Sequence, residues 1–199
     1  MQHNLNMLIL ASASPRRREL LAQAGFSFKV HPAHVPENPN PNEGPIAYVT
    51  RLAREKAEAV FAQLTANLET TANLAVLGAD TTVTIDNHIL GKPEDPADAA
   101  RMLRLLSGRT HLVITGVAVV TAERTEVAAE VTGVKFLTLS DEEIAAYVAT
   151  GEPMDKAGAY AIQGRAARWI PRIEGDYFNV VGLPLALVST LLESSKPLA

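Results

Sequence analysis

The sequence predicts an α/β chain built on a mixed, twisted sheet flanked by helices. Three observations predict it. Apolar, β-branched runs alternate with amphipathic segments along the 199 residues. Helix starts recur as a capping residue followed by proline, or by glutamate three residues on. No linker separates independent domains and no repeat is visible, so one domain over 1–199, of two lobes at most, is expected.

The elements follow in order. Residues 6–11 are apolar and read as a strand. Ser14 and Pro15 open a helix over 15–24, and Gly25 is a fitting stop. "FSFKV", 26–30, is a second strand. Residues 31–45, "HPAHVPENPNPNEGP", hold five of the twelve prolines and form a stiff irregular loop. A long helix follows at about 46–67. "LAVLGAD", 74–80, is a buried strand with a polar end, and "TVTIDNHIL" is a hairpin. Asp95 and Pro96 start a helix that ends at Gly108. Residues 112–121 and 127–138 are two strands. Ser140 and Glu143 form a capping box for a helix stopped by Gly151. Residues 152–182 carry short strands at most, and Pro184 opens a last helix to about Leu192.

Composition bounds the function. The net charge is −4, so there is no general basic footprint for nucleic acid, and any anion site must be local. There are no cysteines, which removes thiolate metal sites and fits a cytoplasmic protein. His31 and His34 are neighbours with no further ligand pattern. No apolar run approaches the roughly 20 residues that span a bilayer. "MLILASA" ends like a signal cleavage site, but no cation precedes it, and it reads as the first strand.

Some polar residues break the local rules. Arg16, Arg17 and Arg18 fall in the first turn of a helix, where the helix dipole opposes cations by about 0.3–1 kcal/mol each. A helix N-terminus also offers donors to an anion, and a triphosphate would relieve that repulsion. Lys56 shares the apolar stripe of Val49, Leu52, Ala53 and Val60. It either snorkels or aims its amine at an anion. Asp80 ends an apolar strand, where α/β sheets bind ligands; it is a base, a metal ligand or a turn residue. Lys92 sits in "LGKPEDP", which lacks the Walker frame. Glu37, paired with Asp80, would make a two-carboxylate magnesium site. In "GEPMDKAGAYAIQG", Gln163 can donate to and accept from a base edge, or the segment is a tight turn.

These features occur within "LASASPRRREL", "HVPE", "RLAREKA", "LGADTTV", "GKPEDPADAARMLRLLSGRTH", "GEPMDKAGAYAIQG" and "GDYFNVVGLP". In that order they resemble the Maf family of nucleotide pyrophosphatases nearly end to end. The resemblance implies an elongated, two-lobed fold with a central cleft, often a homodimer. It implies that Ser12, Arg17, Lys56 and Lys92 line a triphosphate site. Glu37 and Asp80 would hold Mg²⁺ or Mn²⁺, with Asp80 as the proton acceptor. Arg16, Thr81 and Gln163 would bear on base choice, as in the subfamily that hydrolyses dTTP, UTP and some modified uridine triphosphates. The chain departs from the family pattern at Ala161 and in "RAARW", 165–169, which bears on fine substrate preference.

The expected reaction is therefore metal-dependent attack of water at the α-phosphorus, giving nucleoside monophosphate and pyrophosphate. A 7-methyl-GTP pyrophosphatase and a nucleotide-binding regulator of septum formation are the rival readings.

Overall fold

A computed structural model describes residues 7–66 and 73–195. The expected strand start at residue 6 and helix end at residue 67 lie outside them. Seven strands and six α-helices are assigned among the described residues. They are β1 Met7–Leu10, α1 Pro15–Gln23, β2 Phe28–Val30, α2 Pro45–Thr65, β3 Leu74–Ile85, β4 His88–Leu90 and α3 Pro96–Leu106. There follow β5 Thr110–Val120, β6 Thr125–Lys135, α4 Asp141–Val148, β7 Arg172–Glu174, α5 Tyr177–Val181 and α6 Leu185–Ser194. Three short 3-10 turns occupy Glu152–Asp155, Ala157–Ala159 and Arg165–Trp169.

Local chemistry sets the helix starts. Ser14 Oγ accepts from Arg17 N at 3.4 Å, Asp95 Oδ1 accepts from Asp98 N at 2.8 Å, and Ser140 and Glu143 close a reciprocal capping box. Proline follows the cap in α1 and α3. Gly25, Gly108 and Gly151 all take positive φ after helices, where a side chain would be strained.

The sheet is mixed, with strand order β2-β1-β3-β5-β6-β7 and β4 paired to β3 off that path. β1 runs parallel to β2 and β3; β4 and β7 run antiparallel to β3 and β6. β3 does not stop at Asp80 as its sequence suggested. The β-branched run 81–85 continues it, and Asp86 and Asn87, both with positive φ, turn it into β4. Asp80 therefore lies inside β3. It stands beyond the end of β1, whose last residue, Leu10, pairs with Leu77.

The chain divides into two compact units. The first comprises the chain up to Asp80, Thr115–Glu130 and the chain from Gly182 onward; the second comprises Thr81–Ile114 and Val131–Val181. In the first unit α2 lies on the sheet through Ala53, Ala57 and Val60, against Ile9, Val76, Ala118 and Val120. Two glycines permit this. A Cβ on Gly78 would come within 2.1 Å of Ala53 O, and one on Gly116 within 2.3 Å of Val49 O. The second unit packs α3 and α4 around Val83, Ile85, Phe136, Tyr160 and Trp169. Edge-to-face contacts join His111, Phe136 and Tyr160, and also Tyr147 and Trp169.

Candidate active site

The close approach of α2 to β3 at Gly78 carries chemistry two residues further along. From Ala53 the helix rises about 4.5 Å to Lys56, and from Gly78 the strand advances about 6.6 Å to Asp80. Lys56 Nζ then lies 2.7 Å from Asp80 Oδ1. Both side chains are buried, at 9% and 11% exposure, so the stripe lysine does not snorkel to solvent. The same Nζ lies 2.6 Å from Glu37 Oε1. One ammonium thus gathers a strand carboxylate and a loop carboxylate.

Glu37 reaches this point because α2 holds the proline-rich loop. Tyr48 Oη donates to Glu37 O at 2.9 Å. Arg51 donates to Asn38 O at 3.1 Å and grips Glu43 with two bonds of 2.6 and 2.7 Å. Those bonds hold the Glu43 carboxyl at about 2, well below its usual range. Burial raises the Tyr48 phenol, and the Asp80 and Glu37 charges raise it further. Sequence reasoning missed Tyr48, Arg51 and Glu43. A polar face on a long helix gives no sign that a loop folds back onto it.

Arg17 resolves the puzzle of the cationic helix start differently from its neighbours. It donates through Nε to Gly182 O at 2.9 Å, and through one terminal nitrogen to Ala79 O at 2.9 Å and Ser12 Oγ at 3.3 Å. In the parallel ladder Ala11 N donates to Leu77 O, and β1 then ends. Ala79 O is the next carbonyl on that side of β3, and the guanidinium supplies the donor the missing strand would have given. Burial lowers the Arg17 pKa and Arg16 lowers it further, while the Asp80 and Glu37 charges oppose both. Arg16 is half-buried and Arg18 is exposed.

Within the first unit, Ser12 bonds to Arg17, and Lys56 bonds to Glu37 and Asp80; Arg17 meets the carbonyl of Ala79, the residue before Asp80. Thr81, Lys92 and Gln163 belong to the second unit. Thr81 is half-buried and follows Asp80 in β3; Lys92 and Gln163 are exposed. Lys92 sits in the loop after β4, and Gly91 O there accepts from Gly158 N at 3.0 Å. That bond ties the Lys92 loop to the segment that carries Gln163.

The carboxylates fit a hard divalent cation. Glu37 and Asp80 already converge on one cation, the Lys56 ammonium. Among the described residues no group of three or more His, Asp or Glu forms a full protein cage. Two carboxylates suit Mg²⁺, which takes one or two from protein and completes its shell with water and phosphate oxygens. His31 instead pairs with Gln63 at 3.1 Å. Among the described residues, no helix is long and apolar enough to cross a membrane.

The chain also matches known proteins along nearly its whole length. The family model described as Maf-like protein matches residues 7–195. The chain is 55% identical over 193 residues to the dTTP/UTP pyrophosphatase of Koribacter versatilis, covering 96% of each chain. It is 55% identical over 190 residues to that of Moorella thermoacetica, covering 94% of each. It is 56% identical over 183 residues to that of Geobacter sulfurreducens, covering 91% of this chain and 92% of the relative.

Proposed function

The chain belongs to the Maf family, and from that premise we propose that it is a nucleoside triphosphate pyrophosphatase acting on dTTP and UTP. The observation that carries the chemistry is the Lys56–Asp80–Glu37 cluster beside Arg17. It offers a buried carboxylate that can serve as a base and two cations that can offset polyphosphate charge, which supports this reading.

In this reading water attacks the α-phosphorus. A phosphorus–oxygen bond forms to water, and the bond to the bridging oxygen of the leaving pyrophosphate breaks. Asp80 takes the proton from the attacking water. Ser12 and Arg17 bind phosphate oxygens, and Lys56 and Lys92 offset the charge that grows on them. Glu37 and Asp80 hold Mg²⁺ or Mn²⁺, which when bound supplies further neutralisation of the phosphates. Arg16, Thr81 and Gln163 select the base. A cytoplasmic location and a homodimer are part of this reading; the family resemblance supports the homodimer, which sedimentation tests.

Incubation with dTTP or UTP and Mg²⁺ tests the proposal. Pyrophosphate and nucleoside monophosphate are the expected products. Release of orthophosphate would overturn α-attack, and preference for 7-methyl-GTP in a nucleotide panel would overturn the base assignment.

A further inference from the structure

Gln163 sits exposed at the tip of a tight turn, closed by Gly164 N donating to Ala161 O at 3.1 Å. An exposed side chain on a turn is a poor reader of a base unless its backbone is held. Two groups at the end of α4 hold it. Tyr147 is buried on α4, its ring edge-to-face with Trp169. Its hydroxyl accepts from Ala161 N at 3.2 Å and donates to Glu152 Oε1 at 2.8 Å. Glu152 Oε1 in turn accepts from Arg165 N at 3.0 Å. The main chain is thus pinned two residues before Gln163 and two residues after it, by one Tyr–Glu pair. The fit is close: a Cβ on Gly164 would lie 2.1 Å from Glu152 Oε1.

We propose that Tyr147 and Glu152 are positioning residues that set base discrimination by fixing the turn that carries Gln163. The inference rests on the dTTP/UTP reading of the site. A base edge is read by paired donors and acceptors, and a shift of about 1 Å in the reader costs up to roughly a hundredfold. Among the described residues the pair's side-chain hydrogen bonds run to each other and to the main chain of the turn, so its loss is expected to fall on base choice and to leave the chemical step in place. Tyr147→Phe removes the hydroxyl and keeps the ring packed on Trp169. Glu152→Ala removes the acceptor that Tyr147 Oη and Arg165 N share.

The test measures kcat and KM for UTP and CTP in the wild type, Tyr147→Phe, Gln163→Ala and the double variant, with Mg²⁺. Tyr147→Phe is expected to lower the UTP-to-CTP ratio of kcat/KM about tenfold or more, through KM for UTP, with kcat within about twofold. The double variant is expected to discriminate no worse than Gln163→Ala alone, because the pair acts through that residue. An unchanged ratio in Tyr147→Phe, an equal loss for both nucleotides, or additive losses in the double variant would overturn the positioning role. Should Tyr147→Phe fail to fold, Glu152→Ala carries the same readout and the same expectations. A wild type inactive on UTP and dTTP would instead overturn the functional reading itself.

Discussion

Lys56 Nζ lies 2.7 Å from Asp80 Oδ1, a buried ion pair joining the fourth turn of α2 to the middle of β3. The same ammonium also holds Glu37. Removing it leaves two carboxylates facing each other without their counter-ion. Lys56→Ala is expected to lose about 3–5 kcal/mol of stability in denaturant titration, the usual cost of breaking a buried pair from one side. Its pyrophosphate release should fall by about 10²–10³. Asp80→Asn keeps a neutral partner for the amine. It should cost less stability than Lys56→Ala while removing turnover at least as completely.

The register that creates this pair depends on Gly78. Gly78→Ala would press a methyl group to 2.1 Å from Ala53 O, so α2 must retreat from β3. The expected result is a loss of about 1–3 kcal/mol, the range for overpacked cores. Activity should fall beyond what stability explains, because Lys56 rides on the displaced helix. Assays well below the variant's melting temperature separate the two effects.

Arg51 should influence metal use without touching substrate. It clamps Glu43 and Asn38 O, and with Tyr48 it holds the loop that presents Glu37. Arg51→Ala is expected to raise the Mg²⁺ concentration for half-maximal activity by about tenfold. Activity at saturating Mg²⁺ should change far less. The clamp also has a pH limit. The Glu43 carboxyl is lowered to about 2, chiefly by the Arg51 hydrogen bonds, so its contribution is present above the ordinary carboxylate range and is lost as pH falls from about 4.5 to about 2.

His111 gives a second acid response, in the second unit. Burial lowers its pKa to about 3, and its Nε2 lies 2.8 Å from Tyr160 Oη within the aromatic core. The folded state keeps this ring neutral, while the unfolded chain protonates it near 6.5. Between those values the unfolded state binds the extra proton. Stability therefore falls as pH drops from about 6.5 to about 3. His111→Phe should flatten that slope in denaturant titrations at pH 7, 5 and 4.

Features legible in the sequence are those that neighbouring residues settle among themselves. Ser14–Pro15, Asp95–Pro96 and Ser140–Glu143 each place a helix start through bonds spanning three residues. Asp86–Asn87 announces the turn into β4, since both tolerate positive φ. Boundaries set by pairing were less legible. β2 is confined to Phe28–Val30, the residues that pair with Leu8–Leu10, although 26–30 reads as one run. β3 continues through Ile85, past the aspartate that looked like its end.

The candidate site divides in the same way. Local rules marked Arg17, Lys56 and Asp80 as residues out of place in a purely structural chain; Glu37 gained meaning only beside Asp80, and Ser12 only from the family resemblance. Only the tertiary structure decided what each one meets. Arg17 bonds to carbonyls 165 and 62 positions away, and Lys56 reaches Asp80 across 24 positions. No local rule encodes such distances. They follow from how close α2 can pack on β3, where β1 ends, and which side chains fold the proline-rich loop back. Those are properties of packed surfaces, which exist only once the chain has folded.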